Sequence, residues 1–327
     1  MTANNMTETR ALRLSKPTTK RAHPWRWVTA VIILALLAGV VAALGQAKID
    51  WPNVGLYIFH PLVIQAVWGT IVLALVSQVV AIVLGVIVAI MRISPNPVAS
   101  ASASFFIWIF RGVPVLLQIL LWYNFALIFE RITIGIPGTD IVFFDASTND
   151  VMTPFVAALL GLALNEAAYM AEIVRGGIKS VDGGQIEAAS ALAMSPGRTM
   201  QRIILPQALR VIIPPTGNNF INMLKTTSLA SVITYPELLR AAQNIAAVNL
   251  QVMETLFAAA FWYMVIVSIT SVLQYFLERS LDASVSRDRG SAARSIFRKA
   301  AAPPMMRHLA GEKTGAPAEA TDQEAQK

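Results

Sequence analysis

Residues 63–91 read VIQAVWGTIVLALVSQVVAIVLGVIVAIM, a stretch without a single charged side chain. As one helix it would be about 43 Å long, which exceeds the thickness of a hydrocarbon core of about 30 Å. We therefore expect this stretch to cross a lipid bilayer, with its first residues lying in the interface before the chain turns inward. The segment 92–97 (RISPNP) ends it with a charge and two prolines.

Similar apolar runs recur along the chain and predict an all-α transmembrane protein. The runs cover residues 28–44, 63–91, 99–129, 155–174, about 215–234 and 256–277, which makes six predicted spans. The third contains Arg111, Gly112 and Pro114, so we expect a break or a water-facing point there, unless Arg111 only reaches the headgroups. With 55% hydrophobic and 14% charged residues, the composition is too apolar for a soluble domain.

The distribution of basic residues predicts the orientation of these spans. The three loops 48–62, 130–152 and 235–254 contain only Lys48, Arg131 and Arg240 as basic residues, whereas the other loops and both tails hold nearly all remaining Lys and Arg. Basic residues collect on the cytoplasmic side of membrane proteins, so we expect a multi-pass protein of the cytoplasmic membrane with both termini in the cytoplasm. The net charge of +7 then favours membrane lipid as its partner and argues against nucleic acid.

The same pattern divides the chain into segments. We expect a cytoplasmic tail over 1–26, an extra transmembrane helix over 27–47, a transmembrane domain over 63–281 and a disordered cytoplasmic tail over 282–327. A cleaved signal peptide is the alternative for the first helix, because residues 45–47 end in small side chains, although the apolar run is longer than a usual signal core.

Several chemical functions lack the residues that they need. There is no Cys, and His23, His60 and His308 are isolated, so neither a disulfide nor a Cys/His metal site can form. No Gly-x-x-x-x-Gly-Lys-Ser/Thr phosphate loop is present, and no nucleophile, base and acid are arranged for catalysis. We therefore predict neither an enzyme nor a metal or nucleotide cofactor in this chain.

Two of the predicted spans carry polar side chains, which are costly in a bilayer and therefore mark candidate functional residues. On the fourth span one arc of about 120° holds the polar residues while Ala163, Ala167 and Ala171 form an opposite, close-packing face. The predicted substrate path consists of Asn165, Glu166, Tyr169 and Glu172 on the fourth span, Asn218, Asn222, Lys225 and Thr226 on the fifth, and Arg111. Asn219 lies beside the stripe of the fifth span.

Glu166 and Lys225 are oppositely charged members of these two stripes. By helical rise they lie about 13 Å and about 15 Å above the cytoplasmic interface, so we expect them at a similar depth. They could pair when the path is empty and bind the ammonium and carboxylate of an amino acid when it is full. A purely structural ion pair is the alternative.

The loop between these spans, residues 176–215, is too long and too polar to be a tight turn in lipid. Two glycines should release the chain, a short amphipathic helix should follow, and Ser195 and Pro196 should open a second helix as its N-cap and first residue. A short exposed helix is suited to dock a partner protein, although an interfacial linker helix is the simpler alternative. The candidate docking residues are Gly184, Gln185, Glu187, Ala188, Ala189, Leu192, Ala193 and Met194.

This loop resembles the EAA loop of permeases from ATP-binding-cassette importers. The pattern is Glu-Ala-Ala, three residues, Gly, nine residues, Ile, one residue, Leu-Pro, and the spacing from Glu187 to Pro206 fits it. Ala193 occupies the glycine position, which puts a need for left-handed backbone there in doubt. The coupling loop of the resemblance covers residues 178–210.

Further segments are similar to the polar amino-acid branch of these permeases: 111–114 (RGVP), 168–178 (AYMAEIVRGGI), 205–210 (LPQALR) and 224–229 (LKTTSL). The resemblance implies the type I importer permease fold, with a five-helix core to which the N-terminal span is an addition. It also implies an identical or sister permease, cytoplasmic ATPase subunits that carry ATP and Mg²⁺, and an extracytoplasmic amino-acid-binding protein. The alternatives are an ATPase-independent secondary amino-acid transporter or channel, and a membrane-anchored scaffold.

Overall fold

The computed structural model describes residues 24–136, 138–139 and 141–300, and within these ranges the side chains of residues 25 and 27–281. The predicted tail 1–26 therefore lies almost wholly outside the described residues, as does 301–327. The chain divides into two units, residues 1–52 and 53–327.

The first unit contains helix α1, Pro24–Gln46, which covers the predicted extra span. Its apolar side chains are exposed all round, from Trp25 and Trp27 to Leu44. A helix that is apolar on every face is typical of a membrane span. Helix α2, Trp51–Ile58, follows it in the chain.

The second unit is built mainly of helices. Its elements are α3 (Pro61–Ile93), α4 (Pro97–Gly112), α5 (Val115–Tyr123), a 3₁₀ turn (Phe125–Leu127), β1 (Arg131–Gly135), β2 (Val142–Ser147), α6 (Thr148–Val151), α7 (Pro154–Lys179), α8 (Gly183–Ala191), α9 (Pro196–Thr199), a π segment (Met200–Ile204), α10 (Leu205–Thr226), a 3₁₀ segment (Thr227–Ile233), α11 (Leu238–Asn249) and α12 (Val252–Ala300).

Within the described residues, four helices are long and apolar enough to cross a membrane. They are Trp27–Gln46, Pro61–Ile93, Pro154–Lys179 and Val252–Leu281, and a fifth span arises if α4 and α5 count as one. The predicted fifth span, 215–234, is not among them, because α10 carries Asn218, Asn219, Asn222 and Lys225 in its second half. The six-span count is therefore one higher than length and composition support here.

The predicted break in the third span is present. Helices α4 and α5 meet at an angle of 99° across Val113 and Pro114. The bend frees backbone carbonyl groups, and the Gln118 side chain donates hydrogen bonds to the carbonyls of Phe110 (3.0 Å) and Val113 (2.8 Å). A buried glutamine thus satisfies the backbone that the break exposes.

Helix α7 packs closely against α3 through small residues. Ala163, Ala167 and Ala171 are buried, as the sequence predicts. A Cβ on Gly85 of α3 would lie 2.5 Å from the Cβ of Met170 and 3.1 Å from the carbonyl oxygen of Ala167. Small side chains let two helix backbones approach in a bilayer, so this contact fixes the position of α7 and of the polar face opposite to it.

One connection departs from the all-α prediction. Residues 131–147 form an antiparallel hairpin in which Ile132 pairs with Ala146 and Ile134 with Phe144. On its polar face the Arg131 guanidinium hydrogen-bonds Asp145 and holds the pKa of that carboxyl below its usual range. The β-branched and aromatic residues of both strands favour this structure.

Helix α11 is fastened to α3 by hydrogen bonds at its start. The Tyr235 hydroxyl donates to the Gly69 carbonyl (3.1 Å), and the Leu238 amide donates to the Thr70 hydroxyl (3.2 Å). Glu237 is the N-cap of α11.

At the other end of the chain, α12 continues to Ala300, so residues 282–300 are helical where the sequence predicts a disordered tail. Alanine and arginine, both strong helix formers, are frequent in this segment.

Candidate functional site

A polar cavity of about 210 Å³ lies between α5, α7 and α10. Its lining combines apolar residues with a cluster of side chains that can donate or accept hydrogen bonds. The lining residues are Val115, Leu162, Asn165, Glu166, Tyr169, Asn219, Asn222, Met223 and Thr226. Of the predicted path, Asn165, Glu166, Tyr169, Asn222 and Thr226 thus come together at one site.

Glu166 is the charged residue of this lining. Its Oε1 accepts a hydrogen bond of 2.7 Å from the side-chain amide of Asn219. Among the residues that the structure describes, no cation lies within ion-pair distance of this carboxylate. The cavity therefore presents a half-buried carboxylate that is held by a neutral donor.

The predicted ion pair between Glu166 and Lys225 does not form, and Lys225 is exposed outside the cavity lining. The reason is helical phase. At 100° per residue, Lys225 lies about 120° around the helix from Asn219, which faces Glu166, whereas Asn222 and Thr226 lie within about 60° of Asn219. The stripe that faces the cavity is therefore Asn219, Asn222 and Thr226, and Asn218 is exposed on another face. The i, i+3, i+7 spacing of these residues could have identified it.

Asn165 has a structural role in addition to lining the cavity. Its side-chain amide donates a hydrogen bond of 2.6 Å to the Phe110 carbonyl, at the break between α4 and α5. Helix α7 is thereby tied to the break next to the cavity. A change in the angle between α4 and α5 would therefore displace the part of the cavity wall that α7 forms.

The other two candidates of the predicted path, Arg111 and Glu172, are not part of the cavity lining. The Arg111 guanidinium carbon sits 4.7 Å from the centre of the Tyr169 ring, a cation–π contact that holds the guanidinium next to a lining residue. Glu172 forms an ion pair with Arg175 one turn along the same helix, with a distance of 3.0 Å from Nε to Oε2. Glu172 is thus engaged away from the cavity.

The loop after α7 forms a short helix that is exposed to solvent. Helix α8, Gly183–Ala191, begins after Asp182, whose side chain accepts a hydrogen bond from the Gly184 amide. The two glycines lie inside the helix, so the expectation that they release the chain is wrong, because Asp182 supplies the cap. Ala189 is the buried residue of α8, and Leu192 just beyond it is 77% exposed.

Ala193, at the glycine position of the EAA pattern, lies at the turn that ends α8. Ala193 has a φ of 54°, in the left-handed region. The Met194 amide donates to the Ala189 carbonyl (3.0 Å) and the Ala193 amide to the Ser190 carbonyl (2.9 Å), which is a Schellman ending. Left-handed backbone is therefore used here, and an alanine adopts it at a cost of about 1–2 kcal/mol.

The loop is joined to α10 through side chains and a continuous helical segment. Ser195 is the N-cap of α9 and Pro196 its first residue, as predicted. A π segment then leads directly into α10. The Gln207 side-chain amide donates to the Gln185 side-chain oxygen (2.6 Å), so α8 and the start of α10 are held together. A displacement of α8 would therefore pass to the helix that lines the cavity.

Comparison with known proteins places this arrangement in context. Residues 81–283 match the family model described as binding-protein-dependent transport system inner membrane component. The chain is 44% identical to the arginine transport system permease protein of Corynebacterium glutamicum, over 81% of this chain and 83% of that protein. It is 36% identical to the L-cystine transport system permease protein of Bacillus subtilis, over 70% and 90% of the two chains.

Solved structures give a consistent result. A structure described as an amino acid ABC transporter with histidines superposes with a TM-score of 0.61 at 33% identity, covering 72% of this chain and all of that one. The inward-facing methionine ABC transporter has a TM-score of 0.51 at 19% identity, covering 67% and 96%, and shares the fold.

Proposed function

We propose a cargo for this chain, which belongs to the family of binding-protein-dependent transport system inner membrane components. The chain is an amino-acid permease subunit of an ATP-binding-cassette importer with the type I fold. The proposed cargo is a polar amino acid with a basic side chain. The ATPase of such an importer is a separate chain. Membership in this family favours ATP-driven import over an ATPase-independent transporter or channel, and also over a membrane-anchored scaffold.

The proposal rests on the position and surroundings of Glu166. It is a carboxylate in the polar cavity with a neutral hydrogen-bond donor beside it. A carboxylate at this depth of a membrane protein is costly unless a cation joins it, and a guanidinium or ammonium group of the cargo would supply that charge. Arginine is the cargo named for the 44% identical relative, and it carries such a group.

The carboxylate of the cargo needs a partner of its own, and Arg111 fits this role better than Lys225. Arg111 stacks on Tyr169, which lines the cavity, whereas Lys225 points away from it. Asn219, Asn222 and Thr226 add neutral donors and acceptors along one side. Planar guanidinium groups bind carboxylates with two parallel hydrogen bonds, so Arg111 would also orient the cargo.

A second permease, identical or related, would complete the path. Lys225, Asn218, Asn222 and Arg111 are all exposed on this single chain, although they lie in or next to predicted spans. Polar groups at such positions face a protein or a water-filled path rather than lipid. We infer that the surface that carries them meets the second permease.

The remaining partners follow from the two ends of the path. Helix α8 would dock into a cytoplasmic ATPase that carries ATP and Mg²⁺, and an extracytoplasmic binding protein would deliver the cargo at the other end. The concentration of Lys and Arg in the loops on the α8 side supports cytoplasmic termini. No residue of this chain is assigned to ATP.

Competition for uptake tests the cargo. In proteoliposomes that contain the permease, its ATPase and its binding protein, unlabelled arginine, lysine, glutamine and glutamate would compete with labelled arginine. We expect arginine and lysine to suppress labelled uptake at least tenfold more effectively than glutamate at equal concentration. Stronger suppression by glutamate would contradict the assignment of Glu166 to a cationic group.

Variants of the α8 tip test the coupling. Leu192→Asp places a charge on the exposed tip and should remove association with the ATPase, measured by co-purification, without lowering membrane abundance. Ala193→Gly is the matched control at the next position, because glycine adopts the left-handed backbone without strain. The control should retain association and uptake. Normal association of Leu192→Asp would show that the ATPase docks elsewhere.

A further inference from the structure

A second cavity, of about 540 Å³, lies between α3, α7 and α10 and is distinct from the polar one. Its lining is apolar apart from Thr216. The residues are Ile82, Val86, Ile90 and Ile93 of α3, Met170, Val174 and Ile178 of α7, Met200 of the π segment, and Leu205, Leu209, Ile212, Ile213 and Thr216 of α10. A groove of this composition is suited to hydrocarbon and offers almost nothing to a polar cargo.

The length of the groove matches one leaflet of a bilayer. On α3 it runs from Ile82 to Ile93, which corresponds to about 17 Å of helix. Half of a hydrocarbon core of about 30 Å is about 15 Å. A single acyl chain that lies along α3 would therefore span the groove from the middle of the bilayer to its surface.

Three basic residues lie close in sequence to lining residues at one end of this groove. Arg92 precedes the lining residue Ile93, Lys179 follows Ile178, and Arg202 lies two residues after Met200. Lys179 and Arg202 are exposed, and one guanidinium nitrogen of Arg92 is anchored on the Ser100 hydroxyl at 3.1 Å. Three elements of the groove wall thus each carry a cation close in sequence to a lining residue.

Acidic residues near this end offset these cations only in part. Glu172 is paired with Arg175 and also interacts electrostatically with Arg92, and Asp182 caps α8. The rim therefore keeps an excess of positive charge, at the end of the chain's spans where basic residues gather. Basic pockets between helices on the cytoplasmic side suit the headgroups of anionic lipids.

We propose that this groove binds an anionic phospholipid of the cytoplasmic leaflet, with one acyl chain along α3 and the phosphate between Arg92, Lys179 and Arg202. Met200 belongs both to the groove wall and to the segment that joins α8 to α10, and the wall residue Leu205 begins α10. A lipid seated there braces this segment against α3 and α7. Occupancy of the groove then stabilises the route by which α8 moves the cavity-lining helix.

Retention of lipid by the purified complex tests the proposal. The complex is reconstituted with equal amounts of phosphatidylcholine and phosphatidylglycerol, extracted in mild detergent, and its bound phospholipid is counted by native mass spectrometry. We expect phosphatidylglycerol to be retained at least fivefold over phosphatidylcholine. The triple variant Arg92→Gln, Lys179→Gln, Arg202→Gln should lose this preference, whereas Arg198→Gln, an exposed charge of the same loop outside the groove lining, should keep it.

Two substitutions on α3 separate the groove from the general lipid surface. Ile90→Trp fills the groove, while Ile87→Trp places the same ring on an exposed part of α3 outside the lining. Retention should fall at least fivefold for Ile90→Trp and remain unchanged for Ile87→Trp. Equal retention of both lipids by the wild-type complex, or unchanged retention by Ile90→Trp, would overturn the proposal.

Photo-crosslinking identifies the occupant directly. The chain has no cysteine, so Ile90→Cys can be labelled at one position of the permease with benzophenone maleimide and irradiated in the reconstituted complex. A phospholipid adduct supports the lipid site. An adduct with a second permease, or with residues 24–46 of this chain, would overturn it.

Discussion

Two glutamates of this chain, Glu237 and Glu166, have opposite surroundings. Glu237 is fully buried, and it accepts hydrogen bonds from the amides of Leu239 (2.9 Å) and Arg240 (2.6 Å) and from the Tyr263 hydroxyl. Glu166 borders an open cavity and accepts a hydrogen bond from Asn219. The first carboxylate is surrounded by the donors that its own fold provides, while the second has capacity to accept more.

The difference indicates how a structural carboxylate is told from a functional one in a membrane protein. A buried carboxylate with several fixed donors is stabilised by the fold and holds elements together. In this case it joins the start of α11 to Tyr263 of α12. A carboxylate that borders a cavity and has a single neutral donor can still bind a ligand.

The largest effect is expected from Glu237→Ala. The substitution leaves the Leu239 and Arg240 amides and the Tyr263 hydroxyl without their acceptor and should destabilise the protein by about 3 kcal/mol. That corresponds to a fall of roughly 6–12 °C in the melting midpoint. Glu237→Gln, which keeps one acceptor oxygen, should lose less. An unchanged melting midpoint in Glu237→Ala would show that this carboxylate does not stabilise the fold.

A smaller effect is expected when one donor is removed from each glutamate. Tyr263→Phe should cost about 1.5 kcal/mol, because no water reaches the buried Glu237 to replace the hydroxyl. Asn219→Ala should cost less than about 0.5 kcal/mol, since water in the cavity can replace the amide. The melting midpoints of the two variants measure the contrast. Equal losses would show that Glu166 is held as firmly as Glu237.

Much of this organisation could be predicted from sequence. The apolar runs located α1, α3, α7 and α12, and the alternation of polar and alanine residues on α7 predicted both of its faces. The spacing from Glu187 to Pro206 identified the exposed helix that became α8. These features are local, and each follows from helical periodicity within one element.

Other features depend on the relation between elements, and sequence could not fix them. The rotation of α10 about its axis placed Asn219 rather than Lys225 opposite Glu166, and a stripe drawn from Asn218 gave the wrong phase. The left-handed backbone at Ala193 was obscured by the absence of glycine. The hairpin 131–147 depends on pairing between two short strands, and neither strand alone decides it.

Transport by the Glu166→Gln variant shows whether the carboxylate of the polar cavity takes part in moving the cargo. Labelled arginine uptake and ATP hydrolysis are measured together in the reconstituted complex, with Glu172→Gln as the control, since Glu172 lies on the same helix but is paired with Arg175. We expect at least a tenfold loss of uptake by Glu166→Gln, with normal melting and normal ATPase association, and near wild-type uptake by the control. Wild-type arginine uptake by Glu166→Gln would contradict the assignment of this cavity to the cargo.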